Sequence, residues 1–187
     1  MTPPDPRSRI SGNDFARAAP AVTAALRTLG QAVDDSGLDK SLTELIKLRA
    51  SQINGCAYCI QYHLNLARRL GIEQVKLDLV AAWREAGLYD TRERAALAWT
   101  EALTRMAERP VCDAVYAELQ AQFSQTEIAF LTSAIGAINA WNRIAGALQF
   151  APAVPSEQRV ECASASAMDP VSQSVQHRQP PTPGTMT

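Results

Sequence analysis

Ser124-Gln-Thr-Glu127-Ile-Ala-Phe-Leu-Thr-Ser-Ala-Ile-Gly-Ala-Ile-Asn-Ala-Trp-Asn-Arg-Ile-Ala-Gly-Ala-Leu148 decides the fold class. Ile128, Leu131, Ile135, Ile138, Trp141, Ile144 and Leu148 recur at steps of three and four, the spacing of one face of an α-helix. The Ser-x-x-Glu opening is a capping box, in which hydroxyl and carboxylate satisfy amides that the first turn leaves without partners. Working outward, the same signals recur. Asp90-Thr-Arg-Glu93 is a second capping box and opens a helix to about residue 108, ended by Pro110, with Leu97, Trp99, Ala102, Leu103 and Met106 as its apolar face. Gly87 ends a helix over 73–86 and Gly71 one that starts near Cys56. Asn54-Gly55 stops a helix over 41–53. An Ala- and Leu-rich helix over 13–29 is kinked or restarted at Pro20 and stopped by Gly30, and a short helix covers 113–122. No segment alternates with period two and β-branched enrichment, so the fold is expected to be all-α.

The 187 residues, 47% of them hydrophobic, suffice for one domain with a core of its own. Residues 1–12, rich in Pro, Ser and Gly, read as a flexible N-terminal arm, and 13–154 as the helical domain. Residues 155–187 turn to Ser, Gln, Pro and Thr, too few large apolar groups to offset the entropy of ordering, and read as a disordered tail. A formal net charge of −1 with interspersed signs argues against nucleic acid and an anionic membrane surface as partners. No signal core or apolar run of bilayer length is present. The four cysteines do not resemble a secreted cystine framework, and two of them are three residues apart, which points to a redox or metal pair in the cytoplasm.

That pair lies in Cys56-Ala-Tyr-Cys59-Ile-Gln-Tyr-His63, at the expected start of a helix whose unpaired amides and positive dipole end favour a thiolate. A three-residue helical step puts the two Cα atoms about 5 Å apart, within disulfide range. His63 follows Cys59 by four residues, and helical side chains lean toward the N-terminus, which tips the imidazole over the Cys59 sulfur. Folding the two helices about Asn54-Gly55 sets Glu44 opposite Asn65, about 3 Å along the axis from His63, where a carboxylate can orient the ring. Carboxylate, imidazole and thiol in that order form the arrangement that activates a sulfur nucleophile. Read alone, Glu44 is the last member of a capping box Ser41-Leu-Thr-Glu44, and His63 a satisfied core or surface histidine. Haem attachment is excluded by Ile60, which stands where a c-type site needs histidine. Zinc held by Cys56, Cys59 and His63, with Glu44 or water as fourth ligand, is the rival from another class, although no second Cys-x-x-Cys or His pair closes such a site. Cys112, Cys162 and His177 read as ordinary side chains.

With its context, the motif resembles the alkylhydroperoxidase (AhpD-like) branch of the carboxymuconolactone decarboxylase family. Leu48-Arg-Ala-Ser-Gln-Ile-Asn-Gly-Cys-Ala-Tyr-Cys59, Ala82-Trp-Arg-Glu85 and Arg92-Glu-Arg-Ala-Ala-Leu-Ala-Trp-Thr-Glu-Ala102 look like successive family blocks, and the likeness covers about residues 20–150. The resemblance implies an AhpD-like helical bundle, a homo-oligomer built from dimers or trimers, and a cysteine pair that reduces peroxides without cofactor or metal. It makes Cys59 the peroxide-attacking sulfur, Cys56 the resolving sulfur, and Glu44 and His63 the proton relay. The implied partners are a small hydroperoxide, organic or hydrogen peroxide, and an external dithiol reductant protein. Tyr58 departs from the family pattern, which has a further histidine at that place; a phenol with an ordinary pKa of about 10 is a poor proton shuttle. A redox sensor or disulfide carrier with the same pair is a further reading. Lactone decarboxylation, which does not call for a cysteine pair, fits less well.

Overall fold

The computed structural model describes residues 8–155; the tail from 156, with Cys162 and His177, and the first seven residues of the arm lie outside the described residues. The helical unit extends to Ala153. Its elements are α1 (Gly12–Ala18), α2 (Pro20–Asp34), α3 (Lys40–Ile53), α4 (Ala57–Arg69), α5 (Gln74–Leu79), α6 (Trp83–Ala86), α7 (Thr91–Thr104), α8 (Asp113–Gln120) and α9 (Gln125–Leu148). Helices are the regular structure throughout the described residues, as the periodicity requires.

The hub is α3. Leu45, Ile46 and Leu48 are fully buried, and the helix packs against α4, α7 and α9. One apolar cluster joins Val33 of α2, Ile46 of α3, Trp99 of α7 and Leu131 and Ile135 of α9. A second joins Leu45 and Leu48 to Ala67, Leu77, Val80, Trp83 and Leu97. The capping boxes expected for α7 and α9 are present, Asp90 with Glu93 and Ser124 with Glu127.

Local departures from the sequence reading have physical causes. Gly30 does not stop α2, which runs on to Asp34; Gly lowers helix stability by only about 1 kcal/mol against Ala, and Val33, one residue short of the end, is buried in the core. The helix expected over 73–86 is interrupted by a 3₁₀ turn, Val80–Ala82, that lets both Val80 and Trp83 reach the interior. α7 ends at Thr104, so Met106 lies beyond it, exposed. Within the stretch assigned to the N-terminal arm, the backbone amides of Arg9 and Ile10 donate to the Leu148 carbonyl at 3.1 and 3.3 Å, and the Arg9 guanidinium donates to Ala147 O. These residues fasten the start of the bundle to the end of α9.

Candidate active site

The join between α3 and α4 builds the site. Gly55, at φ +65°, closes α3 with a Schellman motif in which the Cys56 amide donates to Ser51 O at 3.1 Å and the Gly55 amide to Gln52 O at 3.2 Å. The residue that completes this motif is also the N-cap of α4: Cys56 Sγ accepts from the Cys59 amide at 3.4 Å. One tight turn thus carries the first thiol straight to a helix N-terminus, and the second follows one turn later. Both cysteines are unbridged and buried, with Ala50, Ile138, Ala145 and Phe150 around them.

The Glu44 Oε2 and His63 Nδ1 atoms are 2.6 Å apart, and both residues are buried. Lys47 donates to the other carboxylate oxygen, Oε1, at 2.9 Å. Burial pushes the Glu44 pKa up, but the His63 and Lys47 hydrogen bonds and charges outweigh it and hold the carboxyl below its ordinary value. Glu44 is not the cap of α3. That place belongs to Asp39, whose carboxylate accepts from the Leu42 amide at 2.9 Å, and Glu44 lies a full turn inside the helix. With Nδ1 held by Glu44, Nε2 is the ring nitrogen free to exchange a proton.

The two sulfurs divide their proton unequally. Cys56 is lowered to about 7, chiefly by a hydrogen bond from the Cys59 thiol, with the Cys59 and Tyr58 amides adding to it against the cost of burial. Cys59 is pushed far up by that same bond and by burial. Above neutral pH the reduced pair is therefore weighted toward a Cys56 thiolate with Cys59 still a thiol. Cys59, not Cys56, lines a cleft of about 270 Å³ beside His63, walled by α2, α4 and α9. Tyr58 and Tyr62, stacked with centroids 6.1 Å apart, and Trp141 form its aromatic side. Burial and the neighbouring negative charges raise the Tyr58 pKa, so its hydroxyl is a hydrogen-bond donor and not a base at neutral pH.

Sequence reasoning missed Asn142. It is buried on α9, donating to Ser51 Oγ at 3.0 Å and accepting from Asn54 Nδ2 at 2.9 Å. Its amide also favours the ionised forms of both thiols. The signal was a polar residue on an otherwise apolar stripe, between Ile138 and Ala145. Among the described residues no three His, Cys, Asp or Glu side chains converge as a metal ion would need. Cys112 is exposed, at the start of α8 and apart from this cluster.

Comparison with known proteins bears on the family and the fold. Residues 20–102, from the start of α2 into α7, match the carboxymuconolactone decarboxylase family. An uncharacterized Bacillus subtilis protein, YdfG, is 35% identical over 113 residues, which span 60% of this chain and 77% of YdfG. The chain belongs to the carboxymuconolactone decarboxylase family. A crystal structure from Agrobacterium tumefaciens, a protein of unknown function provisionally assigned to antioxidant defence as an AhpD protein, is 41% identical with a TM-score of 0.76. The match covers 80% of this chain and all of that one. The debrominase Bmp8 shares the fold, with a TM-score of 0.66 at 21% identity over 72% of this chain and 73% of its own. Membership makes the all-helical bundle a family property and an enzymatic role the family-level expectation, and in this chain the bundle sets Cys56 and Cys59 at the N-terminus of α4.

Proposed function

We propose that this chain is a cysteine-dependent peroxidase that reduces small organic hydroperoxides or hydrogen peroxide through a Cys56–Cys59 dithiol and disulfide cycle. One observation carries the reading: Cys59 and His63 open on the same cleft while Glu44 holds the far side of the imidazole. The cycle closes in protons and electrons. The reduced pair supplies one proton and one negative charge, and the second proton the cycle needs is delivered through His63, which Glu44 orients. As the shared proton moves along the sulfur–sulfur hydrogen bond to Cys56, the Cys59 thiolate attacks the terminal peroxide oxygen. The O–O bond breaks, and His63 protonates the departing alkoxide to an alcohol. Cys59 is now a sulfenic acid. Cys56 attacks that sulfur, and hydroxide leaves with the Cys56 proton as water. An external dithiol protein then reduces the disulfide, itself becoming oxidised, and restores both protons. Asn142 stabilises the thiolate form throughout.

Peroxide consumption with candidate dithiol reductants tests the reading. Cys59→Ser is expected to abolish turnover and sulfenic acid formation. Cys56→Ser is expected to leave a trappable sulfenic acid on Cys59 without turnover. Swapped phenotypes would exchange the roles of the two sulfurs. A reducing compartment, the cytoplasm, and a homo-oligomer belong to the same proposal. Ala134, Ala137 and Ala145 of α9 are buried within the chain and offer no face to a second copy, and Phe130 is half-buried. The surface open to a second copy is instead a groove with Leu103, Met106, Gly136 and Ala140, between the end of α7 and α9. Light scattering at micromolar concentration checks it.

The aromatic wall of the cleft also suits reductive dehalogenation, in which the dithiol supplies two electrons, the carbon–halogen bond becomes carbon–hydrogen, and halide leaves as the disulfide forms. Halide release from a brominated heteroaromatic, without peroxide consumption, would favour that second reading.

A further inference from the structure

We infer that the cleft beside Cys59 selects a small apolar or aromatic molecule bearing one anionic group, and that Arg27 holds that group at the mouth. The inference rests on the peroxidase reading for the reaction, but the binding it requires does not. At about 270 Å³ the cleft lies just below the usual span of small-molecule sites, about 300 to 1,000 Å³, so a single ring with short substituents is the size it admits. The deep surface is hydrocarbon and aromatic, with Leu26 and Val33 from α2 facing Ile138 and Trp141 from α9. Such a surface binds an apolar body and gives no purchase to hydrogen peroxide beyond the catalytic groups themselves.

The charged groups are one-sided. Two cations, Arg27 and Lys47, line the cleft, and no carboxylate does. Lys47 is already engaged, with Glu44 at 2.9 Å and Asp34 at 4.0 Å. Arg27 is different. Among the described residues it makes no ion pair and no hydrogen bond, although other surface arginines of the bundle, Arg17 and Arg92 among them, have found carboxylates. It stands on α2 one residue from Leu26 and across from Tyr58, whose hydroxyl feels its positive charge. A guanidinium left without a partner, at the open end of an apolar slot, suits a carboxylate on a ligand whose other end reaches Cys59. Hydroperoxides that combine a compact apolar body with a carboxylate are the substrate class this describes.

The test pairs cumene hydroperoxide with its para-carboxylate, using the full chain at low salt. The carboxylated substrate is expected to show kcat/KM about tenfold higher, the lower end of what a charge-assisted hydrogen bond supplies, because Arg27 is exposed. Added salt should shrink the ratio. Arg27→Gln should bring it near one, whereas Arg109→Gln, on an exposed segment beyond α7, should keep it. Equal values for the two substrates, or a ratio that survives Arg27→Gln, would overturn the inference. Calorimetric titration with 4-isopropylbenzoate, which carries no peroxide, separates this outcome from failure of the chemistry. If it binds in an Arg27-dependent way while no hydroperoxide is reduced, the peroxidase reading falls and the ligand class stands. If peroxides are reduced and the carboxylate does not bind, the ligand class falls alone.

Discussion

Two buried carboxylates lie on neighbouring helices of this bundle, and the partners they keep differ in kind. Glu44 and Glu101 are 1% and 2% exposed, and both are held below the ordinary carboxyl pKa against the upward push of burial. Glu101 accepts from Arg49 at 2.6 and 2.7 Å, from Trp83 Nε1 at 3.0 Å and from Arg84, whose guanidinium rests 4.1 Å over the Trp83 ring. None of those donors gives up a proton near neutral pH, so the charge is locked and the network binds α3, α6 and α7 together. Glu44 is paired with an imidazole, the side chain that exchanges protons at physiological pH, and that imidazole faces a cleft and a thiol. A buried charge reads as structural or catalytic from what its partner can do and what the partner faces, not from its own burial.

Exchanging each carboxylate for its amide should separate the two uses. Glu101→Gln leaves two guanidiniums without their anion, one of them, Arg84, with a half-exposed side chain that water can resolvate. We expect about 2–3 kcal/mol of lost stability by denaturant unfolding, below the full penalty of a broken buried pair, and kcat within about threefold in the fraction that remains folded. Glu44→Gln should slow the peroxide step about 10²-fold, the scale of general acid–base assistance, and destabilise the fold less. Glu44→Gln/His63→Gln should lose little beyond the worse single variant, because the two act as one unit. A near-native rate in Glu44→Gln would make Glu44 a second structural charge and erase the contrast.

Acid extends the same comparison. A carboxylate whose folded pKa is below its unfolded value contributes stability that is present above the unfolded pKa and lost as pH falls through the folded one. Both glutamates are of this kind, so stability should decline as pH drops below the ordinary value of 4.5. Unfolding curves of Glu101→Gln and Glu44→Gln should each show a shallower acid decline than the parent chain. An unchanged acid slope in Glu101→Gln would mean that its ion pairs persist in the unfolded ensemble.

How far these features were legible in the sequence follows the same division. α9 announced itself because its apolar stripe is continuous and its capping box is local. α3 hid its central place, since Lys40, Glu44, Lys47 and Arg49 interrupt the apolar pattern and only tertiary partners reconcile two of them, Glu44 and Arg49, with burial or near-burial. The meeting of Cys56, Cys59, His63 and Glu44 was readable because two consecutive helices and the tight turn between them fix all four. Asn142, Arg27 and Trp141 come to the same place from helices distant in sequence, and no spacing rule reports such a contact. Which thiol ionises first was not readable either. Helix position favours both, and the difference lies in how the two neighbouring sulfurs act on each other, lowering Cys56 and raising Cys59.

That difference can be measured. Thiolate ultraviolet absorbance should show one thiol titrating with a midpoint near 7, in agreement with Cys56, and no second midpoint in the neutral range. Cys56→Ser should remove the transition. Cys59→Ala, which deletes the largest cause of the shift, should move it back toward the ordinary thiol value of 9.0. A midpoint near 7 that survives Cys56→Ser would assign the stable thiolate to Cys59 and remove the need for a proton shift before attack.

Asn142→Ala should give the smallest effect, and it asks whether α9 takes part in the chemistry or only walls the site. Two of the amide's bonds, to Ser51 and Asn54, are structural, and losing them should cost about 1–2 kcal/mol of stability. The amide also favours the ionised form of both sulfurs, so its removal should raise the Cys56 midpoint and slow the peroxide step severalfold at neutral pH. Raising the pH should recover part of that rate, because the thiolate missing at neutral pH is then restored. Structural damage alone would lower the rate equally at every pH. A pH-independent loss would therefore return Asn142 to the scaffold and leave the chemistry to α3 and α4.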